Sequence, residues 1–211
     1  MAGEVTSARE YSSTRNASNA VRGEVRTVGG ATENGYSEAL KRSILSYENK
    51  QRREANEAMA WYDYDGNQLN RKQGKRDRVA ILKSDVPSPD LIMTHNHPSA
   101  LGERGYMRIG SSFSMDDMLI AMKHKAKEMR AVTPEYTFSF KRPKGGWGAT
   151  QAAVRRAYER AIQQVTSEGQ DYADRVGFSE TVNNRYTVTF WHKINKIVAK
   201  EFGWDYSKKK G

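Results

Sequence analysis

The chain has 211 residues and no cysteine. That excludes a disulfide framework and any metal site built on thiolates. Any metal must then be held by histidine and carboxylate, a donor set that suits a catalytic zinc better than a structural one. Long apolar runs are also missing. No stretch approaches the ~20 residues of a membrane-spanning helix, and the N-terminus lacks a charged-then-apolar secretion signal. The expected setting is a cytoplasm, or a particle assembled there, with no membrane partner. Histidine is scarce, with four residues in all, so the placing of each carries weight. Hydrophobic residues make up 37% and charged residues 28%, which implies a modest core under a large polar surface.

Two of the four histidines fall in Asp90-Leu-Ile-Met-Thr-His-Asn-His-Pro-Ser99. An apolar β-type run delivers them and proline stops it. Side chains alternate along a strand, so His95 and His97 point the same way and can converge on one ion. A catalytic zinc needs three protein ligands and an open position. Downstream, Ser114 precedes a helical pattern and Asp117 follows it by three. Ser-x-x-Asp at a helix start reads as a capping box. It equally reads as a carboxylate turned back from the first helical turn towards the histidines. The two readings are compatible.

Thr94-His-Asn-His-Pro-Ser99 with Ser114-x-x-Asp117 resembles the JAB/MPN metalloprotease signature (the JAMM motif), in its bacterial and phage branches. The resemblance covers roughly residues 54–145. One departure is the long gap from His97 to Ser114. The extra residues lie within Ala100 to Ser112, include three glycines, and are expected to form a mobile lid. The family pattern implies an α/β fold: a JAB/MPN-like (cytidine-deaminase-like) mixed β-sheet flanked by helices. It implies zinc held by His95, His97 and Asp117, with Ser114 donating to the oxyanion. The general base it requires is an upstream glutamate, Glu57, with Glu54 in reserve. The implied activity is hydrolysis of a peptide or isopeptide bond, in a bacterial or phage-infected cell or a virion.

Three parts are expected: a flexible arm over 1–36, the metal-binding domain over 37–145, and a basic helical extension over 146–211. The arm is rich in Ser, Thr, Asn and Gly, and its removal should leave the melting temperature nearly unchanged. A helical pattern from Ser37 to about Met59 leads into a strand at 58–64, closed by an Asp65-Gly66-Asn67 turn. A basic turn at 70–76 and a second strand at 79–82 precede the histidines. After them come a helix over 114–129, strands at 129–133 and 136–140, and helices over 149–167 and 188–202, with breaks around Gly169 and Gly177. The aromatic stripe of the last helix, Phe190 and Trp191 included, reads as core. His124 reads as an exposed helical histidine and His192 has no ligand spacing. Net charge is +10, with a pI near 9.7. From Lys141 onward 14 Lys and Arg face 7 Asp and Glu, a net of +7. Such a region attracts polyanions through phosphate contacts, so nucleic acid is a second candidate partner beside a protein or peptide substrate. The competing function is therefore a binding or virion-associated protein on the same scaffold. Lys208 to Lys210 read equally as a solubilising tail.

Overall fold

Ser37 starts the first helix, α1 (Glu38–Gln51), by accepting the Leu40 backbone N–H on its hydroxyl, which satisfies a donor the helix cannot. Leu40, Ile44 and Tyr47 recur on one helical face and are buried. The computed structural model describes residues 36–76, 78–98, 111–177 and 179–211, with backbone alone for 180–188. The expected arm, Tyr36 apart, and the expected lid, residues 111 and 112 apart, lie outside the described residues.

After α1 come β1 (Ala58–Tyr62), β2 (Gln68–Gln73), a 3-10 turn (Lys83–Asp85), β3 (Ile92–Asn96), α2 (Met115–Lys123), β4 (Glu128–Val132), β5 (Tyr136–Lys141), α3 (Gln151–Val176), α4 (Glu180–Phe202) and β6 (Asp205–Lys210). The strands form one mixed six-stranded sheet in the order β2-β1-β3-β4-β5-β6. β3 and β4 run parallel, with α2 as the crossover that parallel neighbours require. All other neighbours are antiparallel. Among the described residues no helix is long and apolar enough to cross a membrane.

Alternation along the strands divides the interior. Ala60, Tyr62 and Ile92 pack with Leu40, Ile44 and Tyr47 of α1. Met59, Trp61, Met93, Met129, Phe138 and Phe140 point the other way, into a larger core shared with α2, α3 and α4. Each fully buried side chain of this size contributes about 1.5–3 kcal/mol. On the α1 side the docking is also ionic. Arg130 gives Nε to Glu48 Oε1 at 2.6 Å and a terminal nitrogen to Glu48 Oε2 at 3.0 Å, while its other terminal nitrogen reaches Glu128 at 2.9 Å. Thr94 and Ser139 complete these buried carboxylates.

Several expected elements change. Residues 70–73 are not a turn but part of β2, whose pattern is polar because this edge strand is largely exposed. Residues 79–82 are not a strand: Val79 and Ile81 are buried, but the chain is held by Asp85, which bonds Lys72 and the Leu82 backbone N–H, rather than by a sheet partner. α2 stops at Lys123, and α3 runs straight through Gly169 to end at Gly177. The extension is not helical throughout. Its last residues, lysines 208–210 included, form β6 and pair with β5. Its aromatic stripe does join the core, with Phe190, Trp191 and Phe202 packed against it.

Candidate metal centre

β3 and its continuation bring His95 and His97 onto one face at the carboxyl end of a parallel strand, the position at which open α/β sheets place ligands. His97 still bonds β4 through its backbone N–H to Val132 O at 2.8 Å. Pro98 follows and lacks the donor needed to continue. Asp117 arrives from the first turn of α2. Both its capping-box bonds are present: Ser114 Oγ accepts the Asp117 N–H at 3.3 Å, and Asp117 Oδ2 accepts the Ser114 N–H at 2.7 Å. The Ser114 hydroxyl also donates to Oδ2 at 2.8 Å. A carboxylate at a helix N-terminus is favoured by the helix dipole.

The three side chains meet, and all are buried. His95 Nε2 lies 2.8 Å from His97 Nε2 and 3.3 Å from Asp117 Oδ1, and Asp117 Oδ2 is 3.6 Å from His97 Nε2. His97 Nδ1 sits 2.7 Å from the Ser111 carbonyl. A carbonyl only accepts, so that nitrogen carries the hydrogen and Nε2 presents a lone pair to the centre. Asp117 Oδ1 is buried with no hydrogen-bond partner of good geometry, a costly state unless a cation faces it. Two imidazole Nε2 atoms and one carboxylate, whose Oδ1 is the orphaned oxygen, form a donor set that fits a divalent metal ion. The long insertion does not prevent the meeting.

Electrostatics point the same way. Burial raises the Asp117 carboxyl, but His95 and then His97 more than reverse this and bring its pKa to about 2. Burial lowers His95, while Asp117 and, more weakly, Glu57 outweigh it and leave its pKa raised. The pocket is arranged to hold positive charge.

Glu57 directly precedes β1. Met59 pairs with His95, so two residues further along an antiparallel ladder Glu57 comes opposite His97, on the ligand face. It is fully buried. Glu54 is exposed on the turn after α1. The Glu57 backbone is gripped on both sides. Its N–H donates to Lys75 O at 2.8 Å, and its carbonyl accepts from Gly74 at 2.7 Å. A Cβ on Gly74 would lie 2.2 Å from Arg78 O, so only glycine fits there. Asn96, between the two histidines, points to the opposite face. It accepts the Ala58 N–H at 2.7 Å and donates to Asn56 O at 3.0 Å, clasping the residues on either side of Glu57.

The sequence reading missed Asn96, the Ser111 carbonyl and a polar chain from the C-terminal helices. Strand parity marks Asn96 as facing away from the ligands; nothing in the sequence marks the others. His124 is α2's C-cap. His192 lies apart from the centre and bonds Tyr206 through Nδ1 at 2.8 Å. No protein-family model matches the chain, and no curated protein or solved structure matches it. The buried His95, His97 and Asp117 group in a mixed α/β fold is the ground for a functional reading.

Proposed function

We propose that the chain is a zinc-dependent hydrolase of JAB/MPN type that cleaves a peptide or isopeptide bond. The observation that carries this reading is the convergence of His95, His97 and Asp117 in a buried pocket, with a buried Glu57 on the same sheet face. His95, His97 and Asp117 hold the ion. Zinc bound there supplies Lewis acidity, polarising the scissile carbonyl and making water acidic enough to attack near neutral pH. Glu57 takes a proton from the attacking water as the water oxygen bonds the carbonyl carbon. The C–N bond then breaks, and Glu57 returns the proton to the departing amine. Ser114 donates to the oxyanion. Its hydroxyl hydrogen is turned to Asp117 here, so this role requires the hydroxyl to rotate away from Asp117.

A second reading keeps the scaffold as a nucleic-acid-binding or virion-associated protein, favoured by the net +7 from Lys141 onward. Elemental analysis separates the two. Wild type purified without chelator should carry about one zinc per chain, and the His95→Ala/His97→Ala protein none. Wild type that takes up no metal even when zinc is supplied defeats the hydrolase reading. DNA affinity that falls steeply with salt and survives the double substitution supports the second.

A further inference from the structure

The C-terminal region contributes a chain of buried polar groups that ends at the metal centre. Tyr158 of α3 donates its hydroxyl to Asn195 Oδ1 at 2.6 Å. Asn195 of α4, fully buried, donates Nδ2 to the Phe113 carbonyl at 2.8 Å and to Ser112 Oγ at 3.2 Å. Ser112 Oγ bonds the Tyr206 hydroxyl of β6 at 2.7 Å, and that hydroxyl bonds His192 Nδ1 at 2.8 Å. Residues 112 and 113 are thus held directly from α4 and β6, with α3 bracing Asn195 from behind. They lie between Ser111, whose carbonyl fixes the His97 tautomer, and Ser114, which caps the helix that delivers Asp117. Phe113 is itself fully buried, with its ring centroid 6.1 Å from that of His95.

We infer that Asn195, with Tyr158 and Tyr206 behind it, is a positioning residue of the metal centre, so that the region beyond Gly145 is part of the site. This rests on the metal-binding reading above. The physical reason is that Ser111, whose carbonyl orients His97, and Ser114, which caps the helix of Asp117, stand at opposite ends of a short irregular segment. No strand or helix fixes the backbone of residues 111–113. Asn195 supplies the missing restraint by bonding a main-chain carbonyl and a side chain of that segment together. A buried amide can do this with one rotamer, because its acceptor end is occupied by Tyr158 and its donor end by the segment. The chain serves geometry rather than proton transfer. Burial, then Lys208 and Lys196, lower the pKa of His192 to about 4, so its ring stays neutral near pH 7 at the far end of the chain.

The test measures zinc affinity by competition with a chelating dye, and the melting temperature of the metal-free protein, on the full chain. Asn195→Leu and Tyr206→Phe remove polar partners at nearly constant volume. Val198→Ala, on the same helix, cuts a cavity in the core but removes no hydrogen-bonding group. Partners that orient ligands typically contribute 10–100-fold in metal affinity, so the first two variants should bind zinc about that much more weakly while unfolding cooperatively. Val198→Ala should melt earlier and bind zinc as wild type does. Tyr206→Phe, which loses a single hydroxyl, decides the matter if Asn195→Leu does not fold. Wild-type zinc affinity in the folded polar variants overturns the inference, as does an equal loss in Val198→Ala. Wild type that binds no zinc overturns the metal reading itself.

Discussion

Asn96 and Glu57 show how much one residue's placement depends on strand parity. His95 and His97 share a face because the period is two, and Asn96 must then point away, where it clasps residues 56 and 58. The histidine pair and the alternative roles of Asp117 were legible because spacing alone sets the face and the helical turn. The choice between Glu54 and Glu57 was not, since three residues along an irregular lead-in say nothing about burial. In the structure Glu57 is buried beside the ligand face and Glu54 is exposed. Glu57→Gln should therefore keep zinc stoichiometry but lower peptide-bond hydrolysis about 10²–10⁴-fold, the usual contribution of a general base. Glu54→Gln should be near wild type. Single-turnover assays at matched metal content check this, and full activity in Glu57→Gln would remove it from the mechanism.

The legibility of whole elements varied with the kind of signal each carried. β1, β3 and β5 follow apolar patterns and fell close to their expected bounds, whereas α1 starts where expected but stops at Gln51 rather than near Met59. β2 was hidden because Gln68 to Gln73 is mostly polar and exposed. The 79–82 run imitated a strand because burial, not pairing, selects its apolar residues. α2 ends early at a Schellman turn, Ala126 N–H to Ala121 O and Lys125 N–H to Met122 O. Lys125 takes the left-handed φ of 53° there, without the glycine that usually announces such a stop. β6 was missed because three lysines look like a tail, yet Lys208 lies 3.9 Å from the Tyr136 ring centroid and stacks on it. That strand and α4 together hold His192 neutral, and this has a consequence for acid stability. Its folded pKa of about 4 lies below the ordinary 6.5, with Lys208 and Lys196 as the charged groups facing it. Between these values the unfolded chain binds more protons than the folded one, so stability falls as pH drops from about 6.5 to about 4. Above that window the contribution is fully present. His192→Gln should flatten this part of the curve of melting temperature against pH in metal-free protein. An unchanged slope would show that His192 does not titrate in the unfolding equilibrium.

At the scale of the whole molecule, the sequence divides at about residue 145 and the packing does not. The basic composition from Lys141 onward read as an appendage because charge dominates its average, although buried positions run through it, Val154, Ala157, Tyr158, Ile194, Val198, Trp204 and Tyr206 among them. These residues share one core with Met59, Met93, Phe113 and Phe140 of the preceding part. Trp204 also donates its indole N–H to Trp147 O at 2.8 Å, and β6 covers the edge that β5 would otherwise expose. Removing 146–211 would therefore bare the apolar face of β4 and β5, leave a long unpaired sheet edge, and release residues 112–113 from Asn195 and Tyr206. An exposed apolar strand edge of this kind drives association rather than folding. A fragment spanning 37–145 should consequently show no cooperative thermal transition, should aggregate, and should not bind zinc. The full chain should melt in one step, with the aromatic signals of Trp61 in the sheet and Trp204 in the extension lost together. A soluble fragment with its own sharp transition and wild-type zinc affinity would mean that the metal centre is complete without the extension. It would also make the basic helices a module added to an independent domain.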